Sequence, residues 1–234
     1  PEARATSAPS FTEIALRFAV TLWWFWAVRS RFSEGLHWLH KVLKRSDTLG
    51  ASDRAAALTR AGKLAELQGD APQALALLEE SLKLYRDLHD EHGIASVLLY
   101  LGRTARDRGD TEQAIQLVQE SLTLFQKLGD AHNVVWALLS LGDATLDHGD
   151  LAQAETYCRQ ALELSREQGD LGSAVPALSN LGRIAYHQGA FEVATAQYQE
   201  SLARYRELGG VYGVAQTLVD LGRLAHATGD DVQA

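Results

Sequence analysis

The sequence predicts an all-α fold, a right-handed α-solenoid in which helical hairpins are stacked one after another. Two columns of residues carry this prediction, each repeated five times with a constant period of about 40 residues. The first column is glycine: Gly62, Gly102, Gly142, Gly182 and Gly222. The second column stands four residues earlier and is leucine: Leu58, Leu98, Leu138, Leu178 and Leu218. A fixed period of this length indicates a repeat protein, because each unit must stack on its neighbours to bury its apolar face.

A second glycine column marks the turn inside each hairpin. These glycines stand seven residues after the first column: Gly69, Gly109, Gly149, Gly189 and Gly229. Aspartate follows at four of the five, and Ala190 is the exception. Glycine suits the left-handed residue that ends a helix, and aspartate suits the N-cap of the next helix. The same pair recurs between repeats, at Gly129 with Asp130 and Gly169 with Asp170.

The N-terminal part of the chain differs from the later repeats. Residues 1–10 are rich in Pro, Ser and Ala and predict a flexible lead-in. Residues 11–48 predict a degenerate, tryptophan-rich hairpin with helices over 11–29 and 32–45. In the second helix we expect these side chains to point inward: Leu36, Trp38, Leu39, Val42 and Leu43. The tryptophans either pack in the core or let this hairpin cap the solenoid and dock against another domain.

Residues 49–234 predict the regular repeats, after a polar linker over 46–52. We expect hairpins at about 53–88, 90–128, 130–168 and 170–208, and a fifth, truncated hairpin at 211–234. Small residues such as Gly102 and Ala114 are expected where two helices approach most closely. By register, Pro176 falls inside the first helix of its repeat, where it would bend that helix. We expect instead that this helix begins later, with Pro176 in its first turn.

Five positions of the second repeat carry a resemblance to a known family. They are Leu101, Gly102, Ala105, Ala114 and Ser121, and their counterparts recur in the other repeats. This pattern resembles the tetratricopeptide repeat, whose usual unit has about 34 residues. The longer period looks like the variant in the helical sensor region of bacterial LuxR-, AfsR- and MalT-type regulators, which are signal-transducing ATPases. It is also similar to the repeats of LGN-type adaptors. The stretch from the aromatic segment 22–26 through residues 33–39 resembles the one that opens the bacterial sensor region.

Composition disfavours several classes of function. The 234 residues carry a formal net charge of −8, which argues against nucleic acid as a direct partner. The single cysteine excludes an intramolecular disulfide and suits a cytoplasmic location. We expect Cys158 to be a buried apolar side chain, and a reactive thiol is the alternative. The apolar run 18–28 is too short to cross a membrane.

No catalytic, cofactor or metal site is predicted. The chain has no phosphate-binding G-x-x-x-x-G-K-[ST] loop, no G-x-S-x-G elbow and no H-E-x-x-H motif. His37 and His40 have a spacing that can hold a metal, but no carboxylate or thiolate stands near them to complete the ligand set. We interpret them as solvated side chains beside Trp38. The chain is therefore expected not to be an enzyme.

Stacked hairpins build a concave face from their first helices, and we expect that face to bind a partner. By resemblance to the family, its binding residues are Lys63, Leu99, Arg103, Arg106, Trp136, Asp143, Arg183, Tyr186, His187 and Arg223. Arginine suits carboxylates and phosphates, so one hypothesis is a groove for an acidic protein or peptide segment, with Trp136 and Tyr186 as apolar anchors. The alternative is that these arginines pair with Asp107, Asp143 and Asp147 of neighbouring repeats.

The sequence thus predicts a non-catalytic scaffold that binds a protein or a peptide. The resemblance implies the sensor segment of a larger bacterial signalling or transcriptional regulator, docked to an adjacent ATPase or winged-helix module. The start at Pro1 and the end at Ala234, within a repeat, fit a piece of a longer protein. A stand-alone adaptor for complex assembly is the alternative, and a hydrolase or transferase built on a helical array is the third hypothesis.

Overall fold

The computed structural model of the chain describes residues 11–44 and 50–229. These ranges contain eleven α-helices and no strand. In chain order the helices are α1 (Phe11–Val28), α2 (Phe32–Leu43), α3 (Ala51–Gln68), α4 (Ala71–Asp87), α5 (Glu91–Asp107), α6 (Thr111–Leu128), α7 (Ala131–His148), α8 (Leu151–Glu167), α9 (Leu171–His187), α10 (Phe191–Glu207) and α11 (Val211–Thr228). The prediction of an all-α fold is confirmed.

The chain divides into two compact units, at residues 1–108 and 109–234. In the first unit each helix from α1 to α5 packs against the next, and α3 also packs against α1 and α5. In the second unit the helices from α6 to α11 pack in the same sequential manner, and α9 also packs against α7 and α11. Each unit is therefore a stack of helical hairpins, as expected for tandem repeats.

The glycine–aspartate pairs end one helix and begin the next, as predicted. Gly69 has a φ of 82°, in the left-handed region that glycine adopts without steric cost. The N–H of Asp70 then donates to the carbonyl of Ala65, and Oδ1 of Asp70 accepts the N–H of Gln73. One residue thus closes α3 and caps α4. His89 takes the same left-handed conformation, with a φ of 54°, at a turn that lacks the glycine.

Asp170 caps α9 through several hydrogen bonds. Its Oδ1 accepts the N–H groups of Gly172 at 3.0 Å and Ser173 at 3.3 Å, and its Oδ2 accepts the Ser173 hydroxyl at 2.8 Å. Burial by itself would raise the pKa of Asp170. These hydrogen bonds to the ionised carboxylate, together with the nearby His132 imidazole, lower the pKa below its usual 3.8.

We expect the substitution Asp170→Ala to lower the free energy of unfolding by about 1 kcal/mol at neutral pH. Because the pKa is lower in the folded state, the stabilisation by the carboxylate is complete above the unfolded pKa and is lost as the pH falls through the folded pKa. The difference between wild type and variant should therefore shrink below about pH 4. Urea unfolding at pH 7 and pH 3 measures this difference, and an equal difference at both values would contradict a role for the charge.

The first glycine column lets the two helices of a hairpin approach closely. Three of these glycines face a side chain of the following helix: Gly62 faces Leu78, Gly142 faces Cys158 and Gly182 faces Tyr198. A Cβ atom added at these glycines would lie 2.7, 2.5 and 2.7 Å from those side chains, respectively. Such distances are too short for ordinary contacts, so any larger residue would force the helices apart.

The tryptophan-rich hairpin α1–α2 packs against α3. Its buried core includes Trp26, Leu36, Leu39 and Leu64. The prediction that Trp38 points inward is wrong, because its side chain is 45% exposed. The buried residues Leu36, Leu39, Val42 and Leu43 form one stripe along α2, and at about 100° per residue Trp38 lies at the edge of that stripe. Its ring instead lies under the Lys41 ammonium, 4.9 Å from the ring centroid.

Pro176 lies inside α9, which begins at Leu171, so the prediction of a later start is wrong. The helix starts where Asp170 caps it, in register with the other repeats. Ala177 and Leu178 follow the proline and are buried. Burial of this apolar face outweighs the one backbone hydrogen bond that the proline cannot donate.

Several predictions fall outside the described residues. They concern the lead-in 1–10, the linker positions 46–49 and the end of the fifth hairpin from residue 230. α3 begins at Ala51, so the last two residues of the predicted linker are helical. The division of the chain into a cap and five repeats stays a prediction.

Candidate functional site

The predicted binding residues lie on the odd-numbered helices, which pack against one another within each unit. We call this surface of each unit its odd-helix face. In the first unit it carries Lys63, Leu99, Arg103 and Arg106, on α3 and α5. In the second unit it carries Trp136, Asp143, Arg183, Tyr186, His187 and Arg223, on α7, α9 and α11.

In the second unit, Arg183 is engaged by acidic side chains of the preceding repeat. Its Nη1 lies 2.9 Å from Oδ1 of Asp143, and its Nη2 lies 3.7 Å from Oδ1 of Asp147. These are two of the acids in the pairing alternative. The guanidinium fork therefore has carboxylate partners within the protein.

The buried carboxyl of Asp220 lies near two arginines of this unit. Burial raises its pKa, whereas Arg183, a hydrogen bond from Gln216 and Arg223 favour the ionised form. Nη1 of Arg223 lies 3.5 Å from Oδ1 of Asp220. Arg223 nevertheless remains largely exposed, so its pair is only weakly stabilising.

In the first unit, Arg103 lies 2.9 Å from Oε1 of Glu66, a buried side chain with 5% of its surface exposed. Arg106 lies 3.2 Å from Oδ1 of its neighbour Asp107. The partner of Arg106 belongs to the pairing alternative, whereas Glu66 is not among the acids of that alternative. Glu66 does not stand a full repeat period before Arg103, and this shorter separation hid the pairing in the sequence.

We expect Arg103→Ala to lower the free energy of unfolding by about 2 kcal/mol, because it leaves the buried Glu66 carboxylate without its cation. Adding Glu66→Gln to this variant should recover at least half of the loss, since the uncompensated charge is then removed. Urea unfolding of the two single variants and the double variant measures the coupling. Additive losses would contradict a direct ion pair.

Lys63 has aromatic neighbours where the other cations have acids. Its Nζ lies 4.7 Å from the ring centroid of Trp23 and 4.5 Å from that of Tyr100, and it donates to the Tyr100 hydroxyl at 3.2 Å. The guanidinium of Arg60 lies 4.8 Å from the same tryptophan ring. Sequence reasoning missed Trp23, Arg60 and Tyr100. The available signal was spacing, because Trp23 precedes Lys63 by one repeat period, as Asp143 precedes Arg183.

The apolar and aromatic side chains predicted to contact a partner differ in their exposure to solvent. Trp136 is half-buried, and its Nε1 donates to Nε2 of His132 at 3.2 Å. Tyr186 is half-buried, with its ring 5.5 Å from that of the exposed His187. Leu99 is buried, with 4% of its surface exposed, so it offers no surface to a partner. We therefore remove it from the candidate site.

The sequence profile of the MalT-like tetratricopeptide repeat (TPR) region matches residues 39–207, more than half of the chain. The chain belongs to this family. The matched range contains the end of α2 and all helices from α3 to α10. A comparison with curated proteins gives no match.

Solved structures share the fold of this MalT-like TPR chain. A Rap protein complexed with Competence and Sporulation Factor has a TM-score of 0.82 at 14% identity, over 92% of this chain and 60% of the Rap chain. A signal transduction ATPase with numerous domains and a TPR sensor, from Pyrococcus horikoshii, has a TM-score of 0.73 at 13% identity, over 89% of this chain and 32% of that chain. NprR in complex with its cognate peptide NprX has a TM-score of 0.68 at 17% identity, over 95% of this chain and 66% of the NprR chain. At these identities the likeness shows the fold alone.

The MalT-like TPR chain has no reactive-thiol environment at its cysteine. Cys158 is buried, as predicted, and burial raises the pKa of its thiol to about 12. The thiol therefore stays protonated and serves as a packing group between α7 and α8. Burial also lowers the pKa of His40, with help from Lys44 and His37. Within residues 11–44 and 50–229, no group of three or more His, Cys, Asp or Glu side chains could hold a metal ion.

A spanning helix needs about 20 predominantly apolar residues. None of the helices in the described ranges is both long enough and apolar enough to cross a membrane.

Proposed function

We propose that this TPR scaffold is the sensor segment of a larger bacterial signalling or transcriptional regulator, and that it binds a protein or peptide segment on its odd-helix face. The observation that carries the proposal is the match of the MalT-like TPR region over residues 39–207. The signal transduction ATPase from Pyrococcus horikoshii supports the proposal, because that protein has a TPR sensor and this chain covers only 32% of the ATPase chain. A sensor of this kind is one part of a longer polypeptide.

A protein or peptide ligand suits the geometry. The odd-numbered helices pack directly on one another within each unit and present a continuous row of side chains to a ligand. NprR, which shares the fold, was solved in complex with its cognate peptide. The net charge of −8 repels the phosphates of a nucleic acid, so the proposal includes no direct contact with nucleic acid by this segment.

Binding would act by shifting the parent protein between an inhibited and an active state. A ligand shifts such an equilibrium only by its difference in affinity for the two states. The α1–α2 hairpin is the proposed docking element for an ATPase or winged-helix module, because it exposes the large apolar side chains of Phe18, Phe25 and Trp38. The proposal places this function in the cytoplasm and assigns the chain no catalytic step.

The binding face is tested by adding negative charge in the second unit. His187→Glu with Arg223→Glu changes two exposed side chains of the odd-helix face, and Lys127→Glu with Arg166→Glu makes matched changes on the even-numbered helices α6 and α8. Immobilised chains of each kind are mixed with bacterial extract, and retained polypeptides are identified by mass spectrometry. We expect the first variant to lose a polypeptide that wild type and the second variant retain. Equal retention by all three would contradict the odd-helix face.

The regulatory context is tested on the complete reading frame that encodes the chain. A nucleotide-binding loop or a helix-turn-helix in the same frame would support a sensor segment. A short frame with neither element would contradict it and would favour the stand-alone adaptor. The binding experiment and the frame therefore test separate parts of the proposal.

A further inference from the structure

The acid–base pairs of the odd-helix face are interrupted in the first unit. In the second unit, Arg183 lies against Asp143, which precedes it by one repeat period. Lys63 has Trp23 at the corresponding separation, and the two are in contact through the aromatic ring. A ring face attracts a cation but carries no net charge, so the positive charge of Lys63 is held without being neutralised.

Arg60 adds a second positive charge to the same place. It precedes Lys63 by one helical turn on α3, and its guanidinium lies 4.8 Å from the centroid of the Trp23 ring. Tyr100, on α5, covers the Lys63 ammonium from its own side at 4.5 Å. Within residues 11–44 and 50–229, neither Arg60 nor Lys63 forms an ion pair with an acidic side chain. We call Trp23, Arg60, Lys63 and Tyr100 the cation–aromatic cluster.

A hydrogen-bond acceptor without a partner lies on the next turn of α3. Glu66 follows Lys63 by three residues, and Arg103 follows Tyr100 by three residues, so the two pairs are successive contacts between α3 and α5. Oε1 of Glu66 is paired with Arg103, but its buried Oε2 has no hydrogen-bond partner among the described residues. Buried carboxylate oxygens are rarely left unpaired, so Oε2 is an acceptor for a donor that reaches it when the side chains covering it move aside.

We propose that the cation–aromatic cluster and Glu66 form a subsite for an acidic residue of a bound peptide. The peptide carboxylate pairs with Arg60 and Lys63, and its aliphatic stem lies against the rings of Trp23 and Tyr100. A backbone N–H of the peptide donates to Oε2 of Glu66 once the side chains that cover this atom move aside. A helical turn rises about 5.4 Å, which suits the separation between the carboxylate and the N–H groups of one peptide residue. The proposal of this subsite rests on the proposed peptide-binding function and specifies the chemistry of one residue of the ligand.

The Glu66 carboxylate favours a peptide over a phosphate as the source of the anion. A phosphate group carries up to two negative charges at neutral pH and has no N–H to donate to Oε2. The repulsion between Glu66 and a free phosphate therefore has no compensating hydrogen bond. A phosphoserine peptide does supply N–H groups, but its second negative charge is repelled by Glu66 more strongly than the single charge of a carboxylate. A carboxylate carries one charge, and the chain that bears it supplies N–H donors.

The subsite is tested with an array of short synthetic peptides prepared in matched sets. Members of a set differ at one position, which is Glu, Gln or phosphoserine. The labelled full chain is compared with Arg60→Gln/Lys63→Gln and with the control Lys83→Gln/Arg86→Gln, which removes two exposed charges from α4 of the same unit. Circular dichroism and thermal unfolding verify that each variant is folded.

We expect wild type and the α4 control to bind the Glu members at least about tenfold more tightly than the Gln members, as for a charge-assisted hydrogen bond. The Arg60→Gln/Lys63→Gln variant should bind both members alike. A Glu preference that survives in this variant, or tighter binding of the phosphoserine members by wild type, would overturn the subsite. Equal binding of Glu and Gln members by wild type would also overturn it and leave the peptide scaffold intact. The absence of binding to every set would contradict both proposals.

Discussion

Replacing Leu178 with alanine is expected to lower the free energy of unfolding by about 3 kcal/mol, whereas the same change at Leu218 should cost about 1 kcal/mol. The two leucines occupy the same column of the repeat, in α9 and α11. Leu178 is 4% exposed, so its removal leaves a cavity in the core. Leu218 is 47% exposed, so about half of its surface already contacts water, and water fills the space that it leaves.

Urea unfolding of both variants and wild type, under identical conditions, measures the two losses. The pair is its own matched control, because the helical context, the substitution and the position in the repeat are the same. Equal losses at the two positions would show that α11 is covered in solution as α9 is. They would contradict the exposure of Leu218 in the structure.

Replacing Gly142 with leucine is expected to lower the free energy of unfolding by about 2 kcal/mol. A Cβ atom at this position would lie 2.5 Å from Sγ of Cys158, so α7 and α8 must separate to accept the side chain. Overpacking of this kind costs up to about 3 kcal/mol, and the higher helix propensity of leucine returns almost 1 kcal/mol. The loss should be visible in the midpoint of urea unfolding.

The matched control for Gly142→Leu is Gly172→Leu, an exposed helical glycine of the same unit. Its added Cβ would approach only the Oδ1 atom of Asp170, at 3.2 Å, so we expect a change within about 0.5 kcal/mol. Combining Gly142→Leu with Cys158→Ala should cost less than the sum of the two single changes, because the smaller side chain makes room. A strictly additive result would show that the two side chains do not compete for the same space.

The ion pairs that Arg183 and Arg103 form with acidic side chains change the interpretation of the arginine-rich face. The sequence showed only that arginines recur on one side of the first helices, which fits either ligand binding or internal ion pairs. The structure places Asp143 beside Arg183 and Glu66 beside Arg103, so these two cations serve the scaffold. The unneutralised charge lies at Arg60 and Lys63, where Trp23 takes the position of an acid. The candidate anion site thereby moves to the first unit.

The sequence alone determined the features that depend on neighbours along the chain. The left-handed turns at Gly69 and Gly149 follow from the low steric cost of positive φ for glycine, and the caps at Asp70 and Asp170 follow from free N–H groups at the start of every helix. Because these causes act within a few residues, they repeat whenever the local sequence repeats. The all-α fold and the MalT-like TPR family follow from that repetition.

Only the tertiary structure decided what depends on contacts between distant residues. Leu178 and Leu218 are equivalent in sequence but differ in burial, and Pro176 stays within its helix because packing outweighs one lost hydrogen bond. The pairing of Arg103 and the aromatic setting of Lys63 are likewise set by which side chains neighbouring helices present. Local sequence specifies backbone conformation, whereas burial and charge neutralisation depend on the surrounding helices, and these decide which residues of a repeat remain available to a partner.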